Sequence, residues 1–139
     1  MATKQLRDNP AYDQCYHFIA STKYRKSVFC DERMRTRLSE IIESVVDSLE
    51  GTTCLAITVA YNHIHVLIKS DMLLSEISQR LFGVTSRIMR KEYPELLSLN
   101  RQSLWGGKSA KPIVDETHLQ NCISYIRRHQ PDNTKIEGE

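Results

Sequence analysis

Two histidines separated by one residue, His63 and His65, lie within the β-branched run HIHVLIK. Residues two apart in a strand point to the same side of a sheet, so this spacing brings both imidazoles to one face. Ile64 and Val66 then face the core. Two imidazoles on one strand face can supply half of a metal site. Such a pair is also typical of two surface histidines, so the pair alone leaves both interpretations open.

Tyr125 and His129 are a second pair with chemical potential, near the end of the chain. They are four residues apart in a segment predicted to be helical, so their side chains stack on one flank. That flank lies about a quarter turn from the apolar stripe of the helix. The stripe comprises Leu119, Cys122, Ile123 and Ile126. The pair could supply a nucleophile and a third metal ligand, although a tyrosine at a core boundary is also common in helices without such a role.

Taken together, these four side chains suit phosphoryl transfer. A tyrosine hydroxyl with a pKa near ~10 is a weak nucleophile at neutral pH. A divalent ion held by His63, His65 and His129 would stabilise the charge that develops on a phosphate. Tyr125 could then attack phosphorus, giving a phosphotyrosine and a free 3′-hydroxyl. Imidazole suits zinc, but a site with open positions also takes manganese or magnesium.

Basic residues are concentrated locally, although the net charge is only +2. One group forms a predicted stripe along the second helix, and another surrounds an aromatic ring after the first strand, a mixture that suits phosphates and stacked bases. Basic side chains on a helix are also commonly no more than a solvated surface. The predicted DNA-binding residues are Lys23, Tyr24, Arg25, Lys26, Arg80, Arg87, Arg90 and Lys91.

Hydrophobic periodicity predicts the element order β-α-β-β-α-β-β-α. The predicted strands are 15–20, 53–60, 63–69 and two short ones near 102–105 and 112–114, and the predicted helices are 31–49, 74–92 and 115–130. This order indicates an α+β fold of the ferredoxin-like split β-α-β kind, an antiparallel sheet with helices on one face and a C-terminal helix that carries the tyrosine. Gly106 and Gly107 are interpreted as a flexible joint before the last strand.

Length and composition favour an ordinary globular protein. The 139 residues suit one domain with a core of about residues 14–131. No apolar run approaches the ~18 residues of a membrane helix. The polar start MATKQLRDNPAYDQ lacks a signal-peptide core. We therefore expect a cytoplasmic protein that does not contact a membrane.

Four segments, in this order, resemble the single-tyrosine HUH transposases of small insertion sequences that move as single strands. They are YHFIASTKYRKSVF, NHIHVLI, SLW and SYIRRHQ. The resemblance implies that His63 and His65 bind Mg²⁺ or Mn²⁺ and that Tyr125 forms a 5′-phosphotyrosine. It also implies that the residue four positions after the tyrosine, often Gln or Asn, completes the metal site. Here that residue is His129, and the position before the first histidine, commonly Asp, is Asn62.

The resemblance further implies partners. Members of this family bind single-stranded DNA with hairpin ends and work as homodimers with shared active sites, in which the tyrosine helix of one subunit can complete the site of the other. Four other functions remain open at this stage. They are a domesticated relative that nicks chromosomal repeat hairpins, a replication-initiation or relaxase-type nickase, a non-catalytic single-stranded-DNA-binding module, and a phosphodiesterase that forms no covalent adduct.

Overall fold

A computed structural model describes residues 11–129 of the chain. The first three strands and the first two helices agree with the predicted bounds to within two residues. The elements, in chain order, are β1 (Cys15–Thr22), α1 (Glu32–Ser48), β2 (Thr52–Val59), β3 (His63–Ser70), α2 (Leu74–Glu92), β4 (Trp105–Pro112) and α3 (Glu116–Arg127). Within residues 11–129, none of the helices has the length and apolar character needed to cross a membrane.

The four strands form one antiparallel sheet in the order β2-β3-β1-β4. Thr58 pairs with His65, His65 with Ile19, and Ile19 with Ser109, so these four residues form one row across the sheet. Directly paired residues point to the same side. We call the side that carries this row the histidine face, and the other side the core face.

The core face is covered by α1 and α2. Asp31 starts α1, because its side chain accepts a hydrogen bond from the Arg33 amide at 2.8 Å. Helical spacing then places one apolar stripe of α1 in the core. The buried residues of this stripe are Met34, Leu38, Ile41, Ile42, Val45 and Val46. Phe18 and Ile64 of the sheet meet them, fully buried. This packing fixes the faces of β1 and β3, and it therefore fixes which way the histidines point.

The C-terminal helix α3 lies on the histidine face. Asp115 caps it by accepting the His118 amide at 2.7 Å, and Ile126 is buried against Leu67 of the sheet. The Thr58 hydroxyl donates to the Ile126 carbonyl at 2.9 Å, which ties the end of the helix to β2. The predicted α+β fold with an antiparallel sheet is confirmed. The two longer helices share one face as expected, and the tyrosine helix occupies the other.

The segment after α2 differs from the prediction. One strand, β4, replaces the two short strands, and Gly106 and Gly107 lie within it rather than forming a joint. The register shifts here, since Ala20 pairs with Lys108 but Thr22 pairs with Trp105, and this leaves one extra residue on β4. A Cβ atom at Gly106 would lie 3.1 Å from the Thr22 carbonyl oxygen, so a larger residue here would have to push the neighbouring β1 backbone aside. A bulge of this kind breaks the alternation from which a strand is predicted.

Candidate active site

The structure brings the three predicted histidine ligands together. His63 and His65 project from β3 and are fully buried, while His129 follows the end of α3. The Nε2 atoms of His63 and His129 are 2.9 Å apart, and one nitrogen from each of the three residues lies within 4.8 Å of the others. The side chains come from distant parts of the sequence, so the fold itself assembles a group that could hold a metal ion.

A hydrogen bond sets the orientation of His63. Its Nδ1 is 2.8 Å from the side-chain oxygen of Asn62, and the Asn62 amide nitrogen donates to the Arg25 carbonyl at 3.2 Å. The second contact fixes the amide so that its oxygen faces His63. An amide oxygen only accepts, so His63 carries its proton on Nδ1 and keeps a lone pair on Nε2. This lone pair points toward His129. Asn62 therefore orients a candidate metal ligand, as the hydrogen-bond partners of ligating histidines do in metal sites.

His65 is oriented in the same way by another histidine. Its Nδ1 is 2.9 Å from the Nε2 of His17. Its own Nε2 is buried and finds no hydrogen-bond partner among residues 11–129. A buried polar atom without a partner is costly, and a bound cation would satisfy it. Burial, together with the nearby His17, His129 and His63, lowers the pKa of His65 to about 2. The imidazole is therefore neutral at physiological pH, which metal binding requires.

The separation of the donor atoms also fits a divalent ion. Two ligands bonded at about 2.1 Å and at right angles stand about 3.0 Å apart, close to the observed separation of the His63 and His129 nitrogens. Imidazole ligands suit zinc, and a manganese or magnesium ion at the three nitrogens would take its further ligands from the oxygens of substrate or water. The residues present thus fit the metal that the sequence predicts.

His17 is a site residue that the sequence did not reveal. It lies on β1, two positions before Ile19 and on the histidine face. Burial, with Lys111 and His118 nearby, lowers its pKa to about 4. It is therefore neutral at physiological pH and can accept the proton of His65 Nδ1. The only sequence signal was a histidine in a predicted strand, and the pairing of β1 with β3 is what gives it a role.

We expect His17→Ala to weaken Mn²⁺ binding by about 10- to 100-fold, because His65 loses the group that holds its tautomer and ring orientation. His17→Gln should restore most of the affinity, since its amide oxygen can accept the same proton. Isothermal titration calorimetry with MnCl₂ measures both variants. Equal Mn²⁺ affinities for the wild-type protein and His17→Ala would contradict this role.

Tyr125 lies against the histidine group. Its ring meets the His65 ring edge-on, with centroids 5.4 Å apart, and its centroid is 5.2 Å from that of His129. The side chain is half-buried beside the small apolar cluster under α3. A helix anchored to β2 holds it there, so the predicted nucleophile and the predicted metal ligands share one site.

The predicted basic residues separate into two locations. Tyr24 and Arg25 follow β1 in left-handed backbone conformations, with φ of 59° and 53°, and Tyr24 is 73% exposed. The helix stripe lies elsewhere, because α2 packs on the core face, away from the histidines. Within it, Arg90 bonds to the Ser86 carbonyl at 3.0 Å and also to the Arg101 carbonyl, so its guanidinium is held by the protein. The structure does not bring this stripe to the histidine group.

Comparison with known proteins shows the family of the chain. Residues 10–129 match the sequence family described as IS200-like transposases, and this match covers most of the chain. The chain belongs to the IS200-like transposase family. No curated protein sequence matches this transposase significantly.

Two solved structures share the fold of this IS200-like transposase. One is a protein from Deinococcus radiodurans R1 described as a transposase, with a TM-score of 0.65, 24% identity, and coverage of 88% of this chain and 95% of the other. The second is a REP-associated tyrosine transposase bound to a REP hairpin, with a TM-score of 0.56, 15% identity, and coverage of 85% and 68%. Because both sequence identities are low, the similarity to these two structures establishes a shared fold and nothing more.

Proposed function

We propose that this IS200-like transposase cleaves and rejoins single-stranded DNA at the ends of an insertion sequence, with Tyr125 as the nucleophile. One observation carries the proposal. Tyr125 packs edge-on against His65 within a group of three histidines whose nitrogens converge. A protein that only bound single strands would need neither this tyrosine nor these ligands. Family membership agrees with the proposal.

In the proposed reaction, the Tyr125 oxygen attacks the scissile phosphorus. A bond forms between that oxygen and phosphorus, the bond from phosphorus to the 3′-oxygen breaks, and the phenol proton is lost while the 3′-oxygen gains one. The products are a 5′-phosphotyrosine and a free 3′-hydroxyl, and the reverse attack by a 3′-hydroxyl rejoins DNA. His63, His65 and His129 would hold the divalent ion, which supplies charge stabilisation at the phosphate when bound. The edge-on packing of Tyr125 against His65 holds the phenol beside that position.

We propose Mg²⁺ or Mn²⁺ as the cofactor, with a preference for Mn²⁺. Three imidazoles bind manganese better than magnesium, which favours oxygen ligands. His129→Gln replaces one imidazole with an amide oxygen, so we expect the ratio of Mn²⁺- to Mg²⁺-supported cleavage rates to fall about tenfold. Rates measured at saturating concentrations of each metal test this expectation. An unchanged ratio would show that His129 is not a ligand.

The proposed substrate is a single strand that folds into a hairpin near the cleavage site, and the proposed location is the cytoplasm. The fold shared with a transposase bound to a REP hairpin supports the hairpin. Action on chromosomal repeat hairpins would use the same chemistry. We further propose a homodimer with shared active sites. Exchange of α3 between its subunits would have to break the bond from Thr58 to Ile126 and then re-form it with the partner.

A cleavage assay tests the proposed function. A 5′-labelled single-stranded oligonucleotide that contains the end of the element is incubated with the protein and MnCl₂, with MnCl₂ plus excess EDTA, or without metal, and is separated on a denaturing gel. We expect a shortened labelled strand only where free Mn²⁺ is present. Binding without cleavage would favour the non-catalytic binding module, and cleavage that persists in EDTA would contradict the metal site.

A further inference from the structure

An open groove lies on the histidine face beside the candidate active site. It has a volume of about 440 Å³ and lies over β1 and β4, with Ile19, Ser21 and Gly107 among its lining residues. Ile19 is the neighbour of His65 in the row across the sheet, and Ser21 is the neighbour of His63. The groove therefore begins where the histidine group ends.

The groove and α3 lie on opposite sides of the histidine group. In the row across the sheet, Thr58 lies on one side of His65, and its hydroxyl holds the end of α3. Ile19 and Ser109 lie on the other side, in the floor of the groove. Tyr125 directly precedes the residue that Thr58 binds, so the part of α3 that carries Tyr125 lies on the side away from the groove.

The lining of the groove suits a nucleotide. Arg25 and Lys111 contribute positive charge, and acidic residues are not among the described residues that line it. Tyr24 presents an exposed aromatic ring at the same groove. Left-handed backbone at two consecutive bulky residues, Tyr24 and Arg25, is costly, and such strain is found where a segment is shaped for a ligand. Cations for phosphates beside an aromatic ring for a base are the features of single-strand binding grooves.

The geometry of displacement at phosphorus indicates which nucleotide of the substrate the groove would bind. The attacking and leaving oxygens lie roughly in line on opposite sides of the phosphorus. With Tyr125 on the α3 side, the leaving 3′-oxygen points toward the groove. We infer that the groove between β1 and β4 binds the nucleotide on the 5′ side of the scissile phosphate, the one that leaves with the new 3′-hydroxyl. This inference rests on the proposed function and adds a subsite to it.

Gly107 offers a steric test of the groove. A Cβ atom at this position would have nothing within 4 Å, so Gly107→Leu can fill the groove without a clash with the protein. Thr36 is exposed on α1, and Thr36→Leu adds a leucine on the helices of the core face, away from the histidine face and from the predicted DNA-binding residues, as a control. We expect Gly107→Leu to raise the dissociation constant for the oligonucleotide about tenfold, the effect expected when one stacked base is lost. Its cleavage rate should fall further, while its Mn²⁺ affinity stays unchanged.

Fluorescence anisotropy of a labelled oligonucleotide containing the element's end, the cleavage assay, and calorimetry with MnCl₂ measure these three effects. A Gly107→Leu protein that binds and cleaves like the wild-type protein and Thr36→Leu would overturn the inference and leave the proposed function intact. Wild-type protein that binds the oligonucleotide but fails to cleave it would overturn the proposed function, and with it the assignment of the 5′ side.

Photocrosslinking tests the assigned side directly. Tyr125→Phe protein with MnCl₂ is irradiated with oligonucleotides that carry 4-thiothymidine immediately 5′ or immediately 3′ of the cleavage site. We expect the 5′ probe to crosslink to residues 19–25 or 105–111, and the 3′ probe to crosslink elsewhere. A 3′ probe that labels the groove while the 5′ probe does not would overturn the inference.

Discussion

Replacing Tyr125 with phenylalanine is expected to lower the rate of DNA cleavage by at least about 10³-fold and to remove the covalent adduct, because the variant lacks the proposed nucleophilic oxygen. The phenyl ring can keep the edge-on contact with His65 and the contact with His129. The fold, the metal affinity and the affinity for DNA should therefore change little. Quenched time courses of oligonucleotide cleavage, with anisotropy for binding, measure the two effects separately.

Tyr16→Phe is the matched control for this variant. Tyr16 is also half-buried, but it packs against the main core on the other side of the sheet. Loss of its hydroxyl should leave cleavage unchanged. If Tyr125→Phe cleaves at the rate of Tyr16→Phe, Tyr125 is not the nucleophile, and a phosphodiesterase that uses water becomes the better interpretation.

Replacing His65 with leucine is expected to abolish Mn²⁺-dependent cleavage and to weaken Mn²⁺ binding by at least about 100-fold. Leucine fills a similar volume but offers no lone pair, so the group loses one of its three proposed ligands. A ligand that binds only the folded state raises stability with concentration, by about 2.7 kcal/mol at one hundred times its dissociation constant. Added Mn²⁺ should thus raise the melting temperature of the wild-type protein but not that of His65→Leu.

His118→Gln is the control for the loss of an imidazole. His118 lies on the first turn of α3, where its Nδ1 accepts the Val114 amide at 3.1 Å, outside the three-histidine group. Its replacement should leave both the Mn²⁺-induced rise in melting temperature and the cleavage rate near the wild-type values. If Mn²⁺ raises the melting temperature of His65→Leu as much as that of the wild-type protein, the result would contradict the metal site.

Much of the site follows from local sequence patterns. Alternation along β3 alone places His63 and His65 on one face, since residues two apart in a strand share a side. Helical spacing alone puts Tyr125 and His129 on one flank. These patterns depend on neighbours in the chain, so a single sequence carries them. The same holds for α1 and α2, whose apolar stripes are regular and whose bounds were predicted closely.

What the sequence did not reveal depends on contacts between distant segments. His17 gains its role only because Ile19 pairs with His65, which sets the register of β1 against β3. The bulge at Gly106 arises from the approach of Thr22, a residue far away in sequence. The groove likewise exists because α3 covers one half of the histidine face and leaves the other open. Local periodicity contains none of this information.

The most direct test of the central claim is to identify the residue that becomes linked to DNA. Wild-type protein is incubated with MnCl₂ and the single-stranded end of the element, digested with trypsin and nuclease, and analysed by mass spectrometry. The tryptic peptide 109–127 contains a single tyrosine, Tyr125. We predict that this peptide gains the mass of a 5′-linked nucleotide on Tyr125, and only when metal is present. A nucleotide linked to another residue, or complete cleavage with peptide 109–127 unmodified, would contradict the account.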